Sequence, residues 1–300
     1  MRHPFHILDV FTTRPFAGNP LAVVLNADDL ATDEMQAIAR EFNLSETIFV
    51  QGPDDASNSA KVRIFFPNGE IPFAGHPTVG CAVLLASSRE DFREGSIEIR
   101  LEERAGLVPV RVSRRGGLTE AMFTAPIVPR EVAAPIDIDD VARMIGVDPA
   151  DIGFDGHRPR LHRAGPRCLH VPVRSRDVLA RARPVEPVWS DVMRRIETDQ
   201  GYLYTRGGDA ATTAFRARMF APTAMTPEDP ATGSATAMLA QQLLTSERLA
   251  EGTHRWSLEQ GYEMGRPSDL RLEADVAAGA LEAVRVAGHA VHVMSGTLRV

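Results

Sequence analysis

Residues 73–81 read FAGHPTVGC, and an apolar run over 81–86 follows at once. Proline is favoured at the first position of a helix, because its missing N–H would have no partner there anyway. The spacing therefore predicts a helix over 77–87, with His76 at the N-cap. A similar stretch lies 153 residues further on, where EDPATGSA (228–235) opens an Ala-, Met- and Leu-rich run. There Asp229 takes the N-cap position of a helix predicted over 230–244. Each stretch is preceded by a β-prone run ending in proline, VRIFFP at 62–67 and ARMFAP at 217–222. A repeat of strand, loop and apolar helix at half the chain length predicts two similar lobes, each with a central helix. The Gly116-Gly117 turn is taken as the divide, giving lobes over 1–118 and 119–286. Sequence leaves open whether the last strand, about 287–300, returns to the first lobe.

The rest of the chain fits mixed α and β structure. Strands are expected over 6–11, 21–25, 47–50 and 62–66, with antiparallel strands over 97–101, 107–113 and 119–124. Met35, Ile38, Ala39 and Phe42 share one face of a helix over 32–42, for which Thr32 is the candidate N-cap. In the second half, strands are expected over 169–173, 201–204 and 215–220, and a helix over 188–197. The end reads as strands over 281–286 and 290–294 about a turn at Gly288.

Composition narrows the function. The 300 residues are 44% hydrophobic and 24% charged, with a net charge of -7, which fits a soluble protein and argues against nucleic-acid or anionic-membrane partners. No run of about 18 apolar residues suggests a membrane span, and the N-terminus lacks a signal-peptide core. Two cysteines without CxxC spacing form neither a disulfide framework nor a structural zinc site; a cytoplasmic setting is expected. The spacings His157-x4-His162 and His289-x2-His292 are not those of a zinc centre.

Small residues around the two helix starts, Gly75 in one and Gly233 and Ser234 in the other, allow close backbone approach. Helix N-termini present unpaired N–H groups and a partial positive charge, which suits a carboxylate or phosphate. His76 is a poor cap and Asp229 a good one, so residue type alone leaves a structural role open for both. Glu46, in EFNLSETIFV (41–50), precedes a strand rather than a helix, so Asn43-x-x-Glu46 is no capping box. It is either exposed at an element end or held in a partly apolar cleft, where desolvation would suit it to proton transfer.

Five blocks carry a resemblance: DVFTTRPFAGNPLAVV, EFNLSETIFV, FPNGEIPFAGHPTVG, EDPATGSA and QGYEMGRPS. In this order they resemble the PhzF-like phenazine-biosynthesis isomerase family, of the diaminopimelate epimerase-like fold. The resemblance implies an α+β fold of two pseudo-equivalent lobes, each a curved, mostly antiparallel sheet around a central helix. It implies a cofactor-free isomerase of the dihydro-hydroxyanthranilate type, acting as a homodimer on a small, cyclic carboxylate and needing no metal. By position, Glu46 resembles the family's acid/base residue, and His76 and Asp229 its polar partners about the substrate. Gly75, Gly233 and Ser234 correspond to the helix ends that meet the ligand carboxylate. Related racemases carry a cysteine at each helix start; AGHP and DPATGS carry none. An epimerase using Glu46 in place of a thiol, and a non-catalytic ligand-binding or interaction protein, are the competing readings.

Overall fold

The computed structural model describes residues 2–222 and 227–300. The chain forms two compact units, one of residues 1–126 with 286–300 and the other of residues 127–285.

The first unit runs β1 (Arg2–Val10), β2 (Asn19–Val24), α1 (Thr32–Phe42), β3 (Glu46–Gln51), β4 (Ala60–Phe66), β5 (Gly69–Ile71), α2 (Gly75–Ser87), β6 (Gly95–Glu103), β7 (Gly106–Arg115) and β8 (Leu118–Thr124). The pairs β2–β3 and β4–β6 are parallel; β1–β2, β3–β4, β6–β7 and β7–β8 are antiparallel. The end of the chain pairs with both β1 and β8, which closes these strands into a ring. Helix α2 packs against β1, β2, β3, β6, β7 and β8. Its sequence explains the placement: GHPTVGCAVLLAS has no polar face, and a helix apolar on all sides must be enclosed. By contrast α1 is amphipathic. Met35, Ile38 and Ala39 pack with Val24, Leu30, Phe49 and Phe65 outside the ring.

Sequence and structure differ at the divide. The Gly116-Gly117 turn joins β7 to β8 as a hairpin inside the first unit, because β8 completes the register of β7 from Val110–Phe123 to Arg115–Leu118. The first unit therefore extends to residue 126 rather than 118.

The cap of α1 differs too. Ala31 is the N-cap and Thr32 the first helical residue, its hydroxyl accepting from Arg63 Nη1 at 3.0 Å. Glu34 reaches back to the Ala31 N–H at 2.8 Å, so half of a capping box exists and alanine cannot supply the rest. Ala31→Ser is expected to raise unfolding stability by about 0.5–1 kcal/mol, read by urea titration; an unchanged midpoint would show the helix start to be already satisfied.

The second unit holds β9 (Arg130–Val132), α3 (Ile138–Ile145), β10 (Arg160–Arg163), β11 (Arg167–Pro172), α4 (Arg176–Arg181), α5 (Val188–Arg195), β12 (Gly201–Arg206), β13 (Phe215–Phe220), β14 (Glu228–Asp229), α6 (Gly233–Glu247), β15 (Gly252–Gln260) and β16 (Ser268–Ala277). Pairing again mixes two parallel steps, β11–β12 and β13–β15, with antiparallel ones. Strand alternation sorts the faces. Leu169, Val171 and Leu203 pack with Trp189, Val192, Met193 and Leu179 of the covering helices. His170, Tyr202 and Tyr204 turn to the other face, where α6 lies: Tyr202 Oη is 3.2 Å from Thr236 Oγ1 and Tyr204 Oη accepts from Gln242 Nε2 at 2.9 Å.

The last strand, β17 (Ala280–Arg299), runs unbroken through Gly288, where sequence predicts a turn. A Cβ there would lie 2.2 Å from Phe11 Cδ1, so this glycine serves close approach of a ring and not a reversal. No helix among the described residues is long and apolar enough to cross a membrane.

Candidate active site

In the first unit, Glu46 opens β3 beside Leu21 of β2. Asn43 ends α1 in the left-handed conformation (φ 51°), its N–H bonded to Ala39 O, and the chain turns into β3. This places the Glu46 side chain, 20% exposed, with Oε2 3.4 Å from His76 Nδ1. Asn19, at the start of β2, approaches the same nitrogen through Nδ2 at 3.2 Å. An amide donor at Nδ1 makes that nitrogen the acceptor and leaves the ring proton on Nε2. Nε2 has no hydrogen-bond partner among the described residues. Burial pushes the His76 pKa down to about 3, so the ring is neutral at pH 7. With Nδ1 an acceptor, Glu46 Oε2 at 3.4 Å makes neither an ion pair nor, as a carboxylate, a hydrogen bond with it.

The sign of the resulting pH effect follows. Unfolded His76 binds a proton near pH 6.5, while the folded ring resists it until about 3. Folding stability is thus lost as pH falls from about 6.5 toward 3. In His76→Gln this loss should be shallower than in wild type over pH 6.5 to about 4, by thermal melts; parallel slopes would mean that the ring is not held neutral.

In the second unit, Asp229 ends β14, and its Oδ2 accepts from Thr232 Oγ1 at 2.5 Å. Gln260 ties down the same loop: Nε2 donates to Asp229 O at 2.8 Å, and Oε1 accepts from Thr232 N at 3.1 Å. Gly261 follows at φ 74°, so close that a Cβ would lie 2.6 Å from Pro230 O. The QGYEMGRPS block is thereby the clamp of the DPAT loop.

Neither helix start is where the proline rule puts it. Helix α2 begins at Gly75 after the cap Ala74, so His76 is its second residue. Helix α6 begins at Gly233 after Thr232, four residues beyond Asp229. Neither His76 nor Asp229 is an N-cap. The two starts are 158 residues apart rather than 153. In that register Gly75 matches Gly233, Thr78 matches Thr236, and the place of His76 is taken by half-buried Ser234.

A family model described as phenazine biosynthesis-like protein matches residues 8–296. The chain belongs to that family. It is 41% identical to an uncharacterized isomerase of Mesorhizobium japonicum, with 97% of each chain covered. It is 32% identical to the trans-2,3-dihydro-3-hydroxyanthranilate isomerase of Pseudomonas chlororaphis, over 99% of each. Among solved structures, a PhzF-family phenazine biosynthesis protein of Bacillus anthracis superposes with a TM-score of 0.89 at 25% identity, covering all of both chains. The α+β architecture of the family, with mostly antiparallel sheet and a central helix in each half, is the one found here.

Within this phenazine biosynthesis-like chain, each unit gathers part of the expected set. Glu46, His76 and Gly75 meet in the first; Asp229, Gly233 and Ser234 lie within six residues of one another in the second. The cysteines stand apart from this chemistry. Cys81 and Cys168 are buried and free, and burial pushes both thiols up, away from the thiolate. Among the described residues, no group of three or more His, Cys, Asp or Glu side chains could hold a metal ion.

Sequence reading passed over several polar residues beneath the helix starts. Asn19 and Gln260 sit inside quoted blocks but have no distinctive spacing. His170 Nε2 donates to Ala235 O at 3.0 Å, so its Nδ1 must accept from His162 Nδ1, also at 3.0 Å. Burial keeps both rings neutral, pushing His170 down to about 4 and His162 to about 2. Glu103 did carry a signal. In Ile97-x-Ile99-x-Leu101-x-Glu103, strand alternation puts it on the buried face.

Proposed function

We propose that the protein is a cofactor-free isomerase that moves a proton between two carbons of a small, cyclic carboxylate of the dihydro-hydroxyanthranilate type. The observation that carries this reading is Glu46, partly exposed and set 3.4 Å from a buried, neutral His76 at the start of a helix. Full-length relatives named as isomerases support it. In the reaction, the Glu46 carboxylate takes a proton from an activated C–H. The electron pair left behind delocalises through the conjugated ring, and the Glu46 acid returns the proton at another carbon. Nothing is oxidised or reduced. Amides at the start of α2, including that of Gly75, suit the substrate carboxylate or the developing enolate charge; those of Gly233 and Ser234 at the start of α6 offer the same chemistry in the second unit. His76, through Nε2–H, orients ring substituents, and Asp229 is the corresponding polar candidate of the second unit.

A two-thiol racemase route is disfavoured, since Gly75 and Gly233 open their helices without a cysteine and Cys81 lies inside α2. The test is incubation with trans-2,3-dihydro-3-hydroxyanthranilate alone, followed by NMR. Isomerisation with no added cofactor is expected. Absence of turnover, with solvent deuterium entering Cα of an amino acid instead, would overturn this reading in favour of an epimerase.

A further inference from the structure

Glu103 ends β6 with its side chain buried on the inner face, continuing the line of Ile99 and Leu101. Its Oε1 lies 2.7 Å from Thr78 Oγ1. The same hydroxyl oxygen lies 2.7 Å from Ala74 O. Thr78 has one hydroxyl proton, and a main-chain carbonyl can only accept, so that proton goes to Ala74 O. The second short O···O contact then needs a proton of its own, and only the Glu103 carboxyl can bring it. Among the described residues no Arg, Lys or His pairs with Glu103, and its Oε2 has no hydrogen-bond partner. A bare carboxylate in that setting would be a buried, uncompensated charge.

The other groups facing this carboxyl are neutral. On α2 these are Thr78 and the Cys81 thiol, which burial and Glu103 push up. On β7 its register partner is Gly106. The neighbouring Arg104 turns outward to Glu70 at 2.9 Å. Consistently, burial pushes the Glu103 pKa up to about 8, against the smaller pull of Thr78.

We propose that Glu103 is a positioning residue: a neutral carboxylic acid that donates to Thr78, braces the first turn of α2, and spares the helix end that receives the substrate carboxylate a second fixed negative charge beside that of Glu46. The substrate part rests on the function proposed above; the protonation part does not. Ala74 and Thr78 bracket Gly75 and His76, so the brace spans the turn that carries the site. Ionisation of Glu103 would break the donated hydrogen bond and set an anion beside the bound carboxylate.

Two measurements separate the parts. Infrared difference spectroscopy of wild type against Glu103→Gln should show a protonated carboxyl band at pH 7 that fades on the alkaline side. Its absence at pH 7 overturns the proposal whatever the substrate. Steady-state kinetics with trans-2,3-dihydro-3-hydroxyanthranilate should show wild-type KM rising toward ~tenfold per pH unit above about pH 8, as the competent fraction falls, with a smaller change in kcat. The KM of Glu103→Gln, whose amide can still donate to Thr78, should stay flat over that range. Equal pH dependence of KM in both proteins overturns the link to substrate. If wild type does not turn over this compound, the proposed function fails, and the infrared result still decides the state of Glu103.

Discussion

Glu46→Gln is expected to lower kcat by about 10²–10⁴, the usual contribution of a positioned general acid–base, while leaving the thermal midpoint close to wild type. The amide keeps the size of the side chain and can still face His76 Nδ1, which lies 3.4 Å from Glu46 Oε2. It cannot accept and return a proton at neutral pH. The side chain sits at the first residue of β3 and is partly exposed, so little packing depends on its charge. Steady-state rates with trans-2,3-dihydro-3-hydroxyanthranilate and a thermal melt check both halves. A variant as active as wild type would remove Glu46 from the chemistry; an unfolded one would make it a structural residue.

Gly261→Ala is expected to destabilise the protein by about 2–4 kcal/mol, and Gly265→Ala by only about 1–2 kcal/mol. Both glycines adopt left-handed backbone, at φ 74° and φ 71°. A methyl group at Gly265 would meet nothing within 4 Å, whereas at Gly261 it would lie 2.5 Å from Arg266 O and 2.6 Å from Pro230 O. The pair therefore separates backbone strain from collision with backbone. Relief of that collision must move Pro230, which follows Asp229 directly, so Gly261→Ala should also lose activity beyond its loss of stability. Urea titrations of the two variants and rates measured well below their melting temperatures test this. Equal destabilisation would mean that the DPAT loop yields without cost and that Gly261 is no clamp.

The amphipathic α1 was legible in the sequence over its full span because one face is wet, and the period marks both ends. Helices α2 and α6 were legible as helices but not in their starts. With every face buried, periodicity carries no boundary, and the proline rule chose Pro77 and Pro230 where Gly75 and Gly233 begin the turns. That error leaves His76 and Ser234 in first turns, and Asp229 is held by Thr232 and Gln260 rather than by a capping role. Helices α3 and α4 went unread, although α5, no longer than α3, was read. What sequence could not give was pairing at a distance: Asn19 against His76, Gln260 against Asp229, and Glu103 against Thr78. These depend on how strands and helix are brought together, and no spacing along the chain records it.

Transfer of the migrating proton through Glu46 is the step on which the proposed reaction depends. It is tested most directly with substrate deuterated at the carbon that loses the proton, turned over in ordinary water and analysed by mass spectrometry of the product. With a side chain 20% exposed, the Glu46 carboxyl can exchange its proton with solvent between removal and return. Part of the label is expected to be lost to water. Complete retention of deuterium at the new position in wild type and in an equally active Glu46→Gln would contradict it, since the hydrogen would then have moved without passing through the Glu46 carboxylate.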